Sequence, residues 1–147
     1  MIRRAGPGDT ASLVDFNQKM ALETEGKALD TDVLTKGVSA VFTDPKKGFY
    51  IVAEEEARIV GGLMVTFEWS DWRNKWFWWI QSVYIVPEAR GRGIYRKLYD
   101  FVKEAAGPES NVCGFRLYVE RENVNAQKVY EQVGMKESVY FMFEEYN

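Results

Sequence analysis

The segment from Lys75 to Val119 constrains this chain most. It opens with KWFWWIQSVYIV, Lys75 to Val86, a nearly unbroken apolar run dense in aromatics that predicts a strand buried on both faces. PEARGRG follows, and then Ile94, Leu98, Phe101, Val102 and Ala105 recur at helical spacing. A second buried strand, VCGFRLYVE, closes the unit. Strand, helix and strand in that order predict a parallel pair joined by a right-handed crossover.

The remaining elements arrange themselves around this unit. A short strand is predicted near Ile2–Arg4, then a helix over PGDTASLVDFNQKMALE with Asp9 or Thr10 as its cap and Leu13, Phe16 and Met20 along one face. DTDVLTKGVSAVFTD repeats the helical pattern through Val33, Leu34, Val38, Val41 and Phe42 and stops at Asp44-Pro45. KKGFYIVAEEEARIVGGLMVTFEWS reads as two strands around an acidic turn at Glu54–Ala57. NAQKVYEQVG predicts a last helix, with Ala126, Val129, Tyr130 and Val133 on one face and Gly134 as its stop. SVYFMFEE predicts a final strand. The expected order is β-α-α-β-β-β-α-β-α-β, an α/β (α+β) domain with a mixed sheet, over residues 1–147 without a linker or repeat.

Composition narrows the chemistry. At 147 residues and 46% hydrophobic the chain can enclose a real core, and no run approaches the roughly 18 apolar residues of a membrane span. One cysteine, Cys113, permits no internal disulfide, and MIRRAGPGDT lacks a secretory apolar region, so a reduced, cytoplasmic setting is expected. Cys113 itself reads as a small buried filler. A formal charge of −3 argues against a general nucleic-acid binder. The absence of histidine excludes Ser-His-Asp and Cys-His catalysis and His-ligated metals, so no metal is expected. Catalysis falls to tyrosine, carboxylates, backbone dipoles or water.

The loop between the aromatic strand and its helix then stands out. Unpaired N–H groups at a helix start carry partial positive charge, Gly91 and Gly93 allow close approach, and Arg90, Arg92 and Arg96 supply charge. A pyrophosphate-bearing ligand suits that loop; so does an ordinary glycine turn ahead of a charged helix face. No G-x-x-x-x-G-K-[ST] loop occurs, and a dinucleotide fingerprint would need glycine where Arg96 stands.

VYIVPEARGRGIYRKL resembles the acyl-CoA pyrophosphate loop of the GNAT superfamily of N-acetyltransferases, [R/Q]-x-x-G-x-[G/A]. Arg90 and Gly93 match, while Tyr95 stands where Gly or Ala is usual. ENVNAQKVYEQVGM is similar to that family's later motif through Asn123, Ala126, Tyr130 and Gly134, with Met135 in place of a common Phe. The resemblance implies acetyl-CoA as co-substrate and direct attack by an amine, without a covalent enzyme intermediate. It implies a strand that splays from its parallel neighbour after a bulge, its backbone at Val83, Tyr84 and Ile85 holding the pantetheine arm. It assigns the pyrophosphate to the amides and side chains from Arg90 through Gly91, Arg92, Gly93, Ile94 and Tyr95 to Arg96. Asn123 is then expected to bond the arm, and Tyr130 to serve as general acid. Gln81 occupies a position where polyamine-type relatives often carry Glu, and is expected to orient a water rather than accept a proton. The base is left open among water, Glu23, Glu25 and Glu68.

All five tryptophans fall between Trp69 and Trp79. If the strand alternates, Phe77, Trp79 and Gln81 share one face and Trp76, Trp78 and Ile80 the other. Either both faces are core, or Phe77 and Trp79 wall an acceptor pocket for a small amine or a peptide. Trp69 and Trp72 are then candidates for a homodimer interface or a lid. A catalytically silent acyl-CoA sensor is the alternative to the enzyme; nucleic-acid contact through the arginines is a third reading.

Overall fold

The computed structural model describes residues 1–147. A five-stranded sheet runs in the order β1 (Ile2–Arg4), β2 (Phe49–Glu55), β3 (Arg58–Ser70), β4 (Lys75–Ile85), β5 (Val112–Arg116). It is antiparallel from β1 to β4 and parallel between β4 and β5. Helices α1 (Thr10–Glu25) and α2 (Thr31–Thr43) precede β2, α3 (Ile94–Ala105) makes the expected crossover, and α4 (Val124–Gln132) follows β5.

Local chemistry explains the boundaries. Gly26 ends α1 in the left-handed conformation at φ 64°, its N–H bonded to the Leu22 carbonyl. Asp30 caps α2 by accepting from Val33 N at 3.1 Å. Leu13 and Phe16 are buried as their spacing requires, but Val33 is 69% exposed, and of the α2 stripe only Val38 and Val41 are buried. One face of the sheet packs Tyr50 and Val52 against Leu13, Val38 and Val41. The other places Ile51, Leu63 and Val65 beneath Leu98 and Val102 of α3, all essentially without solvent contact.

A bulge shapes β4. Met64 pairs with Gln81 but Gly62 pairs with Tyr84, so β4 carries one extra residue, and Ser82 sits at φ 53°. Alternation shifts by one there, which puts Tyr84 against Phe16 of α1, ring centroids 5.1 Å apart. Pairing between β4 and β5 spans Trp76↔Val112 to Trp79↔Arg116 and then stops. The two parallel strands part beyond that point, as the resemblance implied.

Two expectations fail at the C-terminal side. SVYFMFEE forms no strand: between Lys136 and Asn147 the backbone makes one bond within the chain, from Tyr140 N to Ser138 Oγ at 3.2 Å. Strand propensity alone does not order a segment that has no ladder partner. VCGFRLYVE is a strand only to Arg116, and Val112–Arg116 is half-buried, Cys113 included, since β5 is the sheet's edge.

Candidate active site

The loop after β4 is built as a cradle of donors. A short 3-10 turn at Pro87–Ala89 leads into Gly91 and Gly93, both at φ 76°, and α3 begins with no side-chain cap. The amides of all six residues from Gly91 to Arg96 lack any acceptor within the protein, and the first α3 bond comes from Lys97 N to Gly93 O at 3.2 Å. Left-handed φ at two positions is what glycine supplies without strain. The donors lie at the end of β4 toward which β4 and β5 diverge.

The arginines are otherwise engaged. Arg90 donates from Nε to the Ile85 carbonyl and from Nη2 to Glu23, both at 2.9 Å. Arg92 pairs with Glu55 at 2.6 Å, and Arg96 donates to the Gln132 carbonyl at 2.8 Å, fastening α3 to the end of α4. Their charge is largely answered by neighbours, so the cradle's pull on an anion comes from backbone dipoles. The Ile85 carbonyl is thereby used, while Val83 packs against the core and Tyr84 donates its hydroxyl to Glu23 at 3.1 Å. Burial first, and then that bond to Glu23, push the Tyr84 phenol up.

Ile94 and Tyr95 offer only their amides to the loop, because both side chains are buried. Tyr95 stacks on Tyr99 (centroids 6.0 Å, planes 9° apart) and meets Tyr130 edge to face at 5.2 Å. Its hydroxyl has no hydrogen-bond partner. Burial pushes the phenols of both Tyr95 and Tyr130 up. Tyr130 therefore stays protonated at neutral pH, the form that a proton donor needs. Asn123 caps α4, accepting from Ala126 N at 3.2 Å, so its side-chain oxygen holds the helix and its amide nitrogen alone is left for another contact.

Along β4 up to its bulge, the predicted face alternation holds. Phe77, Trp79 and Gln81 stand opposite Glu68, Thr66 and Met64 of β3. Gln81 donates to Thr66 Oγ1 at 2.6 Å. Trp79 Nε1 donates to Glu68 Oε1 at 2.7 Å, and Arg116 Nη1 donates to both Glu68 oxygens at 3.0 and 3.1 Å. The Arg116 guanidinium lies 3.6 Å above the Phe77 ring. Gly114 makes this layer possible: a Cβ there would sit 2.9 Å from Phe77. An open cavity of about 290 Å³ adjoins it, lined in part by Glu68, Trp72, Phe77, Arg116 and Tyr140.

Arg116 is the residue that sequence reading missed, although one arginine inside an apolar strand was a visible signal. Among the carboxylates considered, Glu68 joins this cluster, Glu23 is held by Arg90 and Tyr84, and Glu25 pairs with Lys27 at 3.8 Å. Of the tryptophans, Trp78 is core and Trp79 half-buried, whereas Trp69, Trp72 and Trp76 are exposed. No cluster of three or more metal-binding side chains occurs, and no helix is long and apolar enough to cross a membrane.

Comparison with known proteins decides the family. The description Acetyltransferase (GNAT) family matches residues 13–135. The chain belongs to the GNAT acetyltransferases. This GNAT chain is 26% identical over 145 residues to the uncharacterized N-acetyltransferase YhfO of Bacillus subtilis (strain 168), covering 96% of the chain and 93% of that protein. It is 46% identical to a possible acetyltransferase from Clostridium difficile 630, with a TM-score of 0.91 over 100% of this chain and 97% of that one. A predicted acetyltransferase with acetyl-CoA from Clostridium acetobutylicum shares the fold at a TM-score of 0.81 and 20% identity, covering 99% and 95%.

Proposed function

We propose that this GNAT acetyltransferase moves the acetyl group of acetyl-CoA directly onto a primary amine of a small molecule or a peptide. The observation that carries the reading is the run of six unpaired amides from Gly91 to Arg96 beside the parted strands. Consecutive donors at a helix start suit a pyrophosphate, and the adjacent unpaired stretch of β4 suits an extended amide-bearing arm. Acetyl-CoA, when bound, supplies the activated acetyl thioester. The chain's own residues do the rest.

The Gly91–Arg96 amides hold the diphosphate, and the Asn123 amide nitrogen is free to donate to the arm. A β4 amide beyond the Ser82 bulge donates to the thioester carbonyl oxygen, where negative charge develops. Tyr130 gives its phenolic proton to the departing sulfur. Phe77 and Trp79 wall the acceptor, and Glu68 faces its ammonium group. Arg116 and Trp79 already occupy the Glu68 oxygens, so water oriented by Gln81 takes the amine proton.

The test is thiol release from acetyl-CoA against a panel of amines and N-terminal peptides, run beside calorimetry with coenzyme A. Turnover with at least one amine is expected. Binding without turnover across the panel would make the chain an acyl-CoA sensor, and no binding by folded protein would remove the whole reading. Tyr95 in place of Gly or Ala and Gln81 in place of Glu are the features that favour the sensor.

A further inference from the structure

Two guanidiniums converge on the Phe77 ring. Arg116, from β5, lies 3.6 Å from its centroid, and Arg73, from the turn between β3 and β4, lies 5.0 Å from it. The two positive charges are therefore no further apart than those distances laid end to end, and both border the open cavity of about 290 Å³. Like charges so placed repel unless an anion answers each of them. Glu68 answers Arg116. Arg73 has no carboxylate partner, and its side chain makes one hydrogen bond, from Nη1 to Ser70 Oγ at 3.3 Å.

The bonding capacity of this cavity is unequally spent. Both Glu68 oxygens take bonds from Arg116, one of them also from Trp79, and Asp71 accepts from the Trp72 amide at 2.9 Å. Both arginines use only Nη1, and their Nε and Nη2 groups make no bond within the chain. What is left over is a pair of planar forks, the geometry that grips a carboxylate or a phosphate. Around them Trp72 is 89% and Tyr140 70% exposed, so apolar surface borders the charges.

We propose that the acceptor carries an anionic group, a carboxylate or a phosphate, held between Arg73 and Arg116 at the far end of the molecule from its amine. This substrate class rests on the acetyltransferase reading above and narrows it. Gln81 shares the Phe77 face four residues further along β4, about 13 Å at strand rise, and lies beyond the last pair of β4 with β5. An amine at the parted strands and an anion at Phe77 are thus separated by the acceptor's body, which passes Trp79. An amine without the anion leaves both forks unpaired, and that difference selects against it.

Thiol release from acetyl-CoA with matched pairs, p-(aminomethyl)benzoate against benzylamine and ε-aminocaproate against hexylamine, reads the selectivity. The carboxylated member of a pair should have the higher kcat/KM, by about 10-fold or more. Aminopentyl phosphate in place of ε-aminocaproate tells a phosphate site from a carboxylate site. Arg73→Gln should erase most of the ratio within each pair, and Arg116→Lys, which keeps a charge beside Glu68 but loses the fork, should erase part of it. A purely structural role would lower both members alike and leave the ratio intact, which would overturn the proposal. Binding is followed apart from turnover: p-(aminomethyl)benzoate should quench tryptophan emission, with or without coenzyme A, at concentrations where benzylamine does not. Equal quenching by the two, or a preference for the neutral amine or for hexamethylenediamine, would also overturn it. Turnover without a preference for the anion leaves the acetyltransferase reading standing, whereas selective quenching without coenzyme A uptake supports the anion site and removes that reading.

Discussion

Tyr95 and Tyr130 meet edge to face at 5.2 Å, yet they have opposite fates. The proposed mechanism gives the Tyr130 hydroxyl a task; Tyr95 carries one that finds no partner. Tyr130→Phe should lower kcat about 100-fold, with the KM for acetyl-CoA little changed, because the ring still packs while the proton donor is lost. Wild-type kcat should show no fall attributable to this acid below pH about 10, the ordinary tyrosine value, since burial raises it further. Tyr95→Phe should instead stabilise the protein by about 1 kcal/mol, seen as a Tm rise of about 2–4 °C, because a buried unpaired hydroxyl costs more than a ring of the same shape without it. The sign with pH follows from the same burial. A phenol whose folded value exceeds its unfolded value contributes stability that is intact below pH about 10 and lost above it. The Tyr95→Phe protein should therefore lose stability less steeply than wild type as pH rises from 10 to 11, measured by chemical denaturation.

Among the elements, the tight hairpin between β2 and β3 shows where local sequence and backbone disagree. Glu55 pairs with Arg58, so the turn has two residues, Glu56 at φ 50° and Ala57 at φ 61°. Such a turn wants Asn-Gly, and an exposed alanine held left-handed is strained. Ala57→Gly should raise stability by about 0.5–1 kcal/mol, the relief of strain outweighing the extra freedom of the unfolded chain. A lowered Tm would mean that the turn does not hold that conformation in solution. The elements that were legible in the sequence are those whose partners are local: the helix stops at Asp44-Pro45 and Gly134, the Leu13/Phe16 stripe, the acidic hairpin and the crossover from β4 to β5. Phe77, Trp79 and Gln81 fell on one face because alternation is local too. The Glu68–Arg116 pair was not legible, since it joins β3 to β5 across β4 and depends on a register no single segment encodes. The partners of the loop arginines were not legible for the same reason: Glu23, Glu55 and the Gln132 carbonyl, distant in sequence, engage Arg90, Arg92 and Arg96. The last strand failed because strand pattern specifies a face, not the neighbour that completes it.

At the scale of the molecule, order is distributed unequally. The two clusters that seal the sheet draw on α1, α2, α3 and the strands up to β4, whereas β5 and α4 contribute no buried residue. The second group is attached by four register pairs, Trp76 to Trp79 with Val112 to Arg116, by the bonds from Arg116 to Glu68 and from Arg96 to Gln132, and by aromatic contacts such as Tyr95 with Tyr130. A ligand gripped by the Gly91–Arg96 amides and by the parted β4 edge acts at this seam. Binding that favours the folded state stabilises by about 2.7 kcal/mol at a hundredfold excess over Kd, a Tm rise of about 5–11 °C for a chain this size. The location of the gain is the sharper expectation. Hydrogen exchange with saturating coenzyme A should slow most in residues 112–132, whose openings are cheapest, and least in β2 and the N-terminal half of β3, whose amides already exchange only by global unfolding. Uniform slowing across the sheet would mean that the ligand stabilises the fold without bridging the seam, and would move the binding site away from the split between β4 and β5.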